Sequence, residues 1–137
     1  MSNLRDYVLI VDDEFIITQL LTIYVEDIGR VVCGTAATAD AAIALAQKHR
    51  PAIVLMDMRL KGVKDGVDAA IAIHDTVGSK VIFITGSSEA STMERISLDH
   101  ASSVLIKPVT ESQLREAIQK AARGLEGNED PAVETRS

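Results

Sequence analysis

The chain has 137 residues, 47% apolar, 25% charged and 3% aromatic, which fits one globular domain with a mainly aliphatic core and excludes a large multidomain enzyme. Its 14 Lys and Arg against 20 Asp and Glu give a formal net charge of −6, which argues against direct binding of nucleic acid or of an anionic membrane. The single cysteine, Cys33, closes no intrachain disulfide, and the apolar run after Arg5 and Asp6 is too short for a signal-peptide core or a membrane span, so the expected location is the cytoplasm.

Residues 7–11 form an unbroken apolar run, the pattern of a strand buried on both faces of a parallel sheet. The next segment places Phe15, Ile16, Leu20, Ile23 and Tyr24 at helical spacing and predicts a one-sided surface helix that ends at Gly29. A second strand is expected over 30–34, with Cys33 in the interior, and a second helix opening at Thr38 or Asp40 and stopping at Pro51. A third strand over 52–56 leads into a helix ending at Gly78, and a fourth strand over 80–84 into a fourth helix. The fifth strand, 103–106, precedes a last helix with Leu114, Ala117, Ile118 and Ala121 on one face.

Five strands alternating strictly with five helices predict an α/β fold, an open five-stranded parallel sheet with right-handed crossovers and helices on both faces. From Gly124 the pattern fails, because Leu125 is the only large apolar residue among Gly127, Asn128, Pro131 and the acids Glu126, Glu129, Asp130 and Glu134. The expected division is therefore a domain over 1–123 and an acidic, mobile tail over 124–137.

Chemistry in such a sheet collects beyond the C-terminal ends of the strands, where loops meet helix N-termini. Those ends read Val11-Asp12-Asp13-Glu14, Met56-Asp57-Met58-Arg59, Ile84-Thr85-Gly86-Ser87 and Ile106-Lys107-Pro108. Singly, each polar residue has a plainer role: Asp12, Asp13 or Thr85 could cap a helix, and Asp57 could start a turn. Together, Asp12, Asp13 and Asp57 would repel one another at adjacent strand ends without a cation. Carboxylate oxygens with no His or Cys beside them suit Mg²⁺, which usually keeps waters and a phosphate oxygen in its shell.

On the acidic pair in VLIVDDE, Asp57 in IVLMDMRL, Thr85 in VIFITGS and Lys107 in VLIKPV, the chain resembles the receiver domain of bacterial two-component response regulators over residues 5–123. The resemblance implies a flavodoxin-like (βα)5 fold and a Mg²⁺-dependent reaction in which Asp57 accepts a phosphoryl group from the phosphohistidine of a sensor histidine kinase. It further implies that Asp13 and Asp57 ligate Mg²⁺ directly, Asp12 largely through water, and Arg59 through its backbone carbonyl. Lys107 would pair with the phosphoryl oxygens beside the Thr85 hydroxyl, and the Lys107–Pro108 peptide bond would be cis. The side chains of Arg59 and Ser87 would flank the path of the hydrolytic water and tune the lifetime of the phosphoryl group.

One position departs from the family. Receivers usually carry Tyr or Phe three residues before the strand-five lysine, and here that residue is Val104, which cannot make the aromatic rotation. Because the chain ends soon after the fifth helix, the expectation is a stand-alone regulator that signals to a downstream protein target. A relay role, passing the phosphoryl group on to a phosphotransfer protein, would use the same residues. A small aspartyl-nucleophile phosphatase would want a second acid where Arg59 stands, and a flavodoxin-like binding module predicts no phosphorylation. A homodimer is expected through Val104, Val109 and the small residues Ala117, Ala121 and Ala122, or through the tail.

Other residues carry less. Cys33 reads as a small core residue, and His49, His74 and His100 lack paired ligands. Gly62, Gly66 and Gly86 form no phosphate-cradling loop.

Overall fold

The computed structural model describes residues 4–60, 62–86 and 101–129. In chain order they form β1 (Arg5–Val11), α1 (Phe15–Asp27), β2 (Val31–Ala36), α2 (Ala39–His49), β3 (Pro51–Asp57), α3 (Gly66–Thr76), β4 (Lys80–Thr85), β5 (Ala101–Ile106) and α4 (Glu111–Glu129). The helix expected between β4 and β5 lies outside the described residues, as do Ser87, His100 and the tail beyond Glu129.

All five strands pair in parallel, in the order β2-β1-β3-β4-β5. The open five-stranded sheet expected from the alternating pattern is thus present. From β1 the chain steps outward to β2, then returns past β1 to β3, so the strand order reverses between β1 and β3. At such a switch point adjacent loops diverge and leave a crevice.

Along the strands, alternate side chains serve two cores. Leu9, Val11, Val54, Met56, Val81 and Phe83 pack with α2 and α3, whereas Val8, Ile10, Ile53, Leu55, Ile82 and Ile84 pack with α1 and α4. Aliphatic side chains dominate both cores, and Phe83 is the one fully buried aromatic among the described residues.

Helix ends follow local chemistry. Gly29 and Gly78 take positive φ just past α1 and α3. The Thr38 hydroxyl accepts the Ala41 N–H at the start of α2, and Asp65 with Asp68 forms a capping box at the start of α3. Pro51, expected only to stop α2, also begins β3.

Four expectations are corrected. Phe15, Ile16, Leu20 and Ile23 are exposed, while Thr18, Leu21 and Val25 form the buried face of α1. This helix is apolar on nearly every side, so helical spacing admits two stripes, and contact with the sheet selects the one holding Thr18. The buried Thr18 hydroxyl is satisfied by donating to the Phe15 carbonyl at 2.7 Å. In α4, Ala117 and Ala121, expected to meet a second copy, are buried against the chain's own sheet; their small side chains let the helix lie close to it. Cys33 is only partly buried, since β2 is an edge strand; burial still pushes its thiol pKa up, which disfavours the thiolate. The last helix also runs on to Glu129, past the expected limit at Arg123. Among the described residues, no helix is long and apolar enough to cross a membrane.

Candidate functional site

The crevice at the switch point is an open cavity of about 390 Å³ lined by Asp13, Glu14, Asp57, Arg59, Thr85, Gly86 and Lys107. Each expected site residue within the described chain therefore reaches this cavity except Asp12, which lies buried behind it. Asp12 and Asp13 follow β1, Asp57 ends β3, Thr85 ends β4 and Lys107 follows β5. Parallel strands end at one edge of the sheet, and that common polarity gathers residues far apart in sequence.

Asp12, Asp13 and Asp57 each place a carboxylate oxygen within 4.8 Å of the others. Both oxygens of Asp12 are engaged: Oδ1 accepts the Glu14 N–H at 2.9 Å, and Oδ2 accepts from Lys107 Nζ at 3.0 Å. Lys107 Nζ also lies 3.7 Å from Asp57 Oδ2. Asp57 Oδ1 accepts the Arg59 N–H at 3.3 Å, which brings the Arg59 backbone to the site. Lys107 is anchored by its own N–H, which donates to the Thr85 carbonyl at 2.8 Å, and the Lys107–Pro108 bond is cis.

Burial pushes the Asp57 pKa up to about 6, and the Asp12 charge adds to the rise against the opposing pull of Lys107 and the Arg59 N–H. Burial works to lower the Lys107 pKa, but the hydrogen bond to Asp12 and the charges of Asp57, Asp12 and Glu14 prevail and raise it. One ammonium thus faces a larger negative charge. A hard divalent cation would relieve the excess, and the all-oxygen donor set fits one.

The family model for the response regulator receiver domain matches residues 8–119. The chain belongs to the response regulator receiver family. It is 32% identical over 114 residues to the transcriptional regulatory protein PdtaR of Mycobacterium tuberculosis, an alignment covering 83% of this chain and 55% of that protein. The chain thus spans about half the length of that relative. The receiver domain of a modulated diguanylate cyclase from Desulfovibrio desulfuricans superposes with a TM-score of 0.82 at 32% identity, covering 86% of this chain and 94% of that one. A CheY-like receiver from Methanospirillum hungatei gives a TM-score of 0.83 at 26% identity, covering 90% of this chain and 98% of that one.

Within this receiver, Val104 pairs in register with Phe83 and packs partly buried against the same core, so an aliphatic side chain fills the place where receivers usually carry an aromatic. Sequence reasoning missed two features of the site. Glu14 and Gly86 belong to the cavity lining, and the run of three acids after β1 was the available signal for Glu14. The approach of Gly66 to the Asp57 backbone had no signal beyond the glycine itself.

Proposed function

We propose that this receiver takes a phosphoryl group from a histidine kinase phosphohistidine onto Asp57 and signals to a protein partner by the conformational change that follows. The observation that carries this reading is the placement of Asp57, on a central strand, at an open cavity, beside two further carboxylates and an ammonium. Asp12, Asp13, Asp57 and the Arg59 backbone carbonyl would hold Mg²⁺, which would balance charge on the phosphoryl oxygens during transfer.

The chain's own residues supply position and charge. An ionised Asp57 oxygen attacks phosphorus in line as the bond to the histidine nitrogen breaks, giving an acyl phosphate and free imidazole. Lys107, held at the site by Asp12, pairs with a phosphoryl oxygen once the group arrives, and the Thr85 hydroxyl approaches another. The product is an acyl phosphate, so water removes it in time and the switch resets. Arg59 lines the cavity two residues beyond Asp57, and its side chain would flank that water's path and set the lifetime.

A large phosphodonor must dock beside the cavity, and α1 offers the surface. Phe15 and Ile16, at its first turn, are 74% and 78% exposed, and Leu20 and Ile23 continue an apolar ridge away from the site. Such a ridge suits the apolar face of a partner helix. The test is incubation with acetyl phosphate, with and without Mg²⁺: the reading requires a phosphoprotein that forms only with the metal and is lost in alkali, as an acyl phosphate is.

A further inference from the structure

We propose that Gly66 is a positioning residue for the phosphoryl and metal site, acting through the backbone of Asp57; the inference rests on reading the three carboxylates as a metal site. Gly66 is buried at the first turn of α3, and its N–H donates to the Met58 carbonyl at 2.9 Å. The loop that leaves β3 is therefore closed at its base by this glycine. A Cβ at position 66 would fall 1.9 Å from the Asp57 carbonyl oxygen, 2.8 Å from its carbonyl carbon and 2.9 Å from Met58 Cα. No side chain fits those distances, so the Asp57–Met58 peptide and the start of α3 touch only because residue 66 is glycine.

The requirement is one of space. Gly66 has no positive φ, whereas Gly62, in the same loop at φ +103°, has open space around it. Neither surface at the contact can yield cheaply. On one side Met58 is buried in the core and Asp57 is held in register with Ile84 across β4. On the other, Val67 is fully buried and the Asp65–Asp68 capping box fixes where α3 begins.

The pinned peptide leads directly into the site. Its orientation sets where the Asp57 side chain leaves the strand and where Arg59 presents its N–H, 3.3 Å from Asp57 Oδ1, and the carbonyl proposed as a ligand. Metal coordination tolerates displacements of only tenths of an ångström, and losing a supporting contact around a metal site typically weakens binding about 10- to 100-fold. A methyl group at position 66 would force a larger displacement than that.

The experiment is Mg²⁺ titration of the full chain by calorimetry, beside thermal unfolding in EDTA, for wild type, Gly66→Ala and Val67→Ala. Val67→Ala removes buried volume from the same helical turn without approaching Asp57, so its melting temperature should fall while its Mg²⁺ affinity stays within about twofold of wild type. Gly66→Ala should bind Mg²⁺ about 10- to 100-fold more weakly. Wild-type affinity in Gly66→Ala, or an equal loss in Val67→Ala, would overturn the inference. No binding by wild type would instead remove the metal reading beneath it. If Gly66→Ala does not fold, hydrogen exchange on wild type decides: Mg²⁺ should slow exchange of the Gly66 amide, and an unchanged rate would overturn the proposal.

Discussion

The Lys107 ammonium sits 3.0 Å from Asp12 Oδ2, a pairing that joins the loops after β1 and β5 across 95 residues of chain. Asp12 is buried and Lys107 only partly so, and the pair therefore holds in place the cation that the proposed chemistry needs before any phosphoryl group arrives.

Removing that cation should cost stability. In Lys107→Ala, two buried carboxylates lose their counter-charge, and with Lys107 partly solvated the expected cost is about 2 kcal/mol in EDTA. The raised Lys107 pKa keeps this contribution fully present at neutral pH; it fades only as pH climbs through the folded-state value. Urea unfolding checks this, and saturating Mg²⁺ should restore most of the loss.

Asp57 should show the opposite sign. Its pKa in the folded protein is about 6, against an ordinary value of 3.8, so between these values the folded state holds more protons than the unfolded state. Stability therefore falls as pH rises through this window, and the full cost of the charged carboxylate is present above about pH 6. Asp57→Asn should be more stable than wild type by about 1–3 kcal/mol at pH 7 in EDTA, and the gap should close towards pH 4. Urea unfolding at both pH values measures it, and a variant less stable than wild type at pH 7 would contradict it.

The two acids after β1 should differ towards metal. Both Asp12 oxygens already have partners, whereas Asp13 faces the cavity with no hydrogen-bond partner among the described residues. Asp13→Asn should weaken Mg²⁺ binding about 10- to 100-fold, and Asp12→Asn by less, as calorimetry would show.

The α1 ridge separates docking from chemistry. Ile16→Glu changes a side chain that is 78% exposed, so unfolding free energy should stay within about 0.5 kcal/mol of wild type. Transfer from the cognate kinase should slow at least about tenfold, the effect of losing one well-packed apolar contact, while phosphorylation by acetyl phosphate keeps its rate. Equal slowing with both donors would place the effect in the cavity.

Unbroken apolar runs made the strands legible, and strict alternation then left few topologies, so the strand-end residues Asp12, Asp13, Asp57, Thr85 and Lys107 could be placed at one edge of the sheet. Periodicity could not choose between the two faces of α1, because Ile16 and Leu21 are equally apolar and only the sheet distinguishes them. Nor could it show that Ala117 and Ala121 face inward, since an alanine serves equally in close packing within a chain or between chains. The pairing of Lys107 with Asp12, and the pressing of Gly66 on Asp57, depend on atoms brought together by the finished fold.

The most direct test of the central claim is to treat the full chain with acetyl phosphate and Mg²⁺, reduce with borohydride, and map the product by mass spectrometry. Borohydride converts an aspartyl phosphate to homoserine, so the modified residue is read from the peptide itself. Homoserine at position 57, absent when EDTA replaces Mg²⁺, is the expected result. Homoserine at Asp12 or Asp13, or an unmodified chain under conditions that phosphorylate other receivers, would contradict Asp57 as the phosphoacceptor.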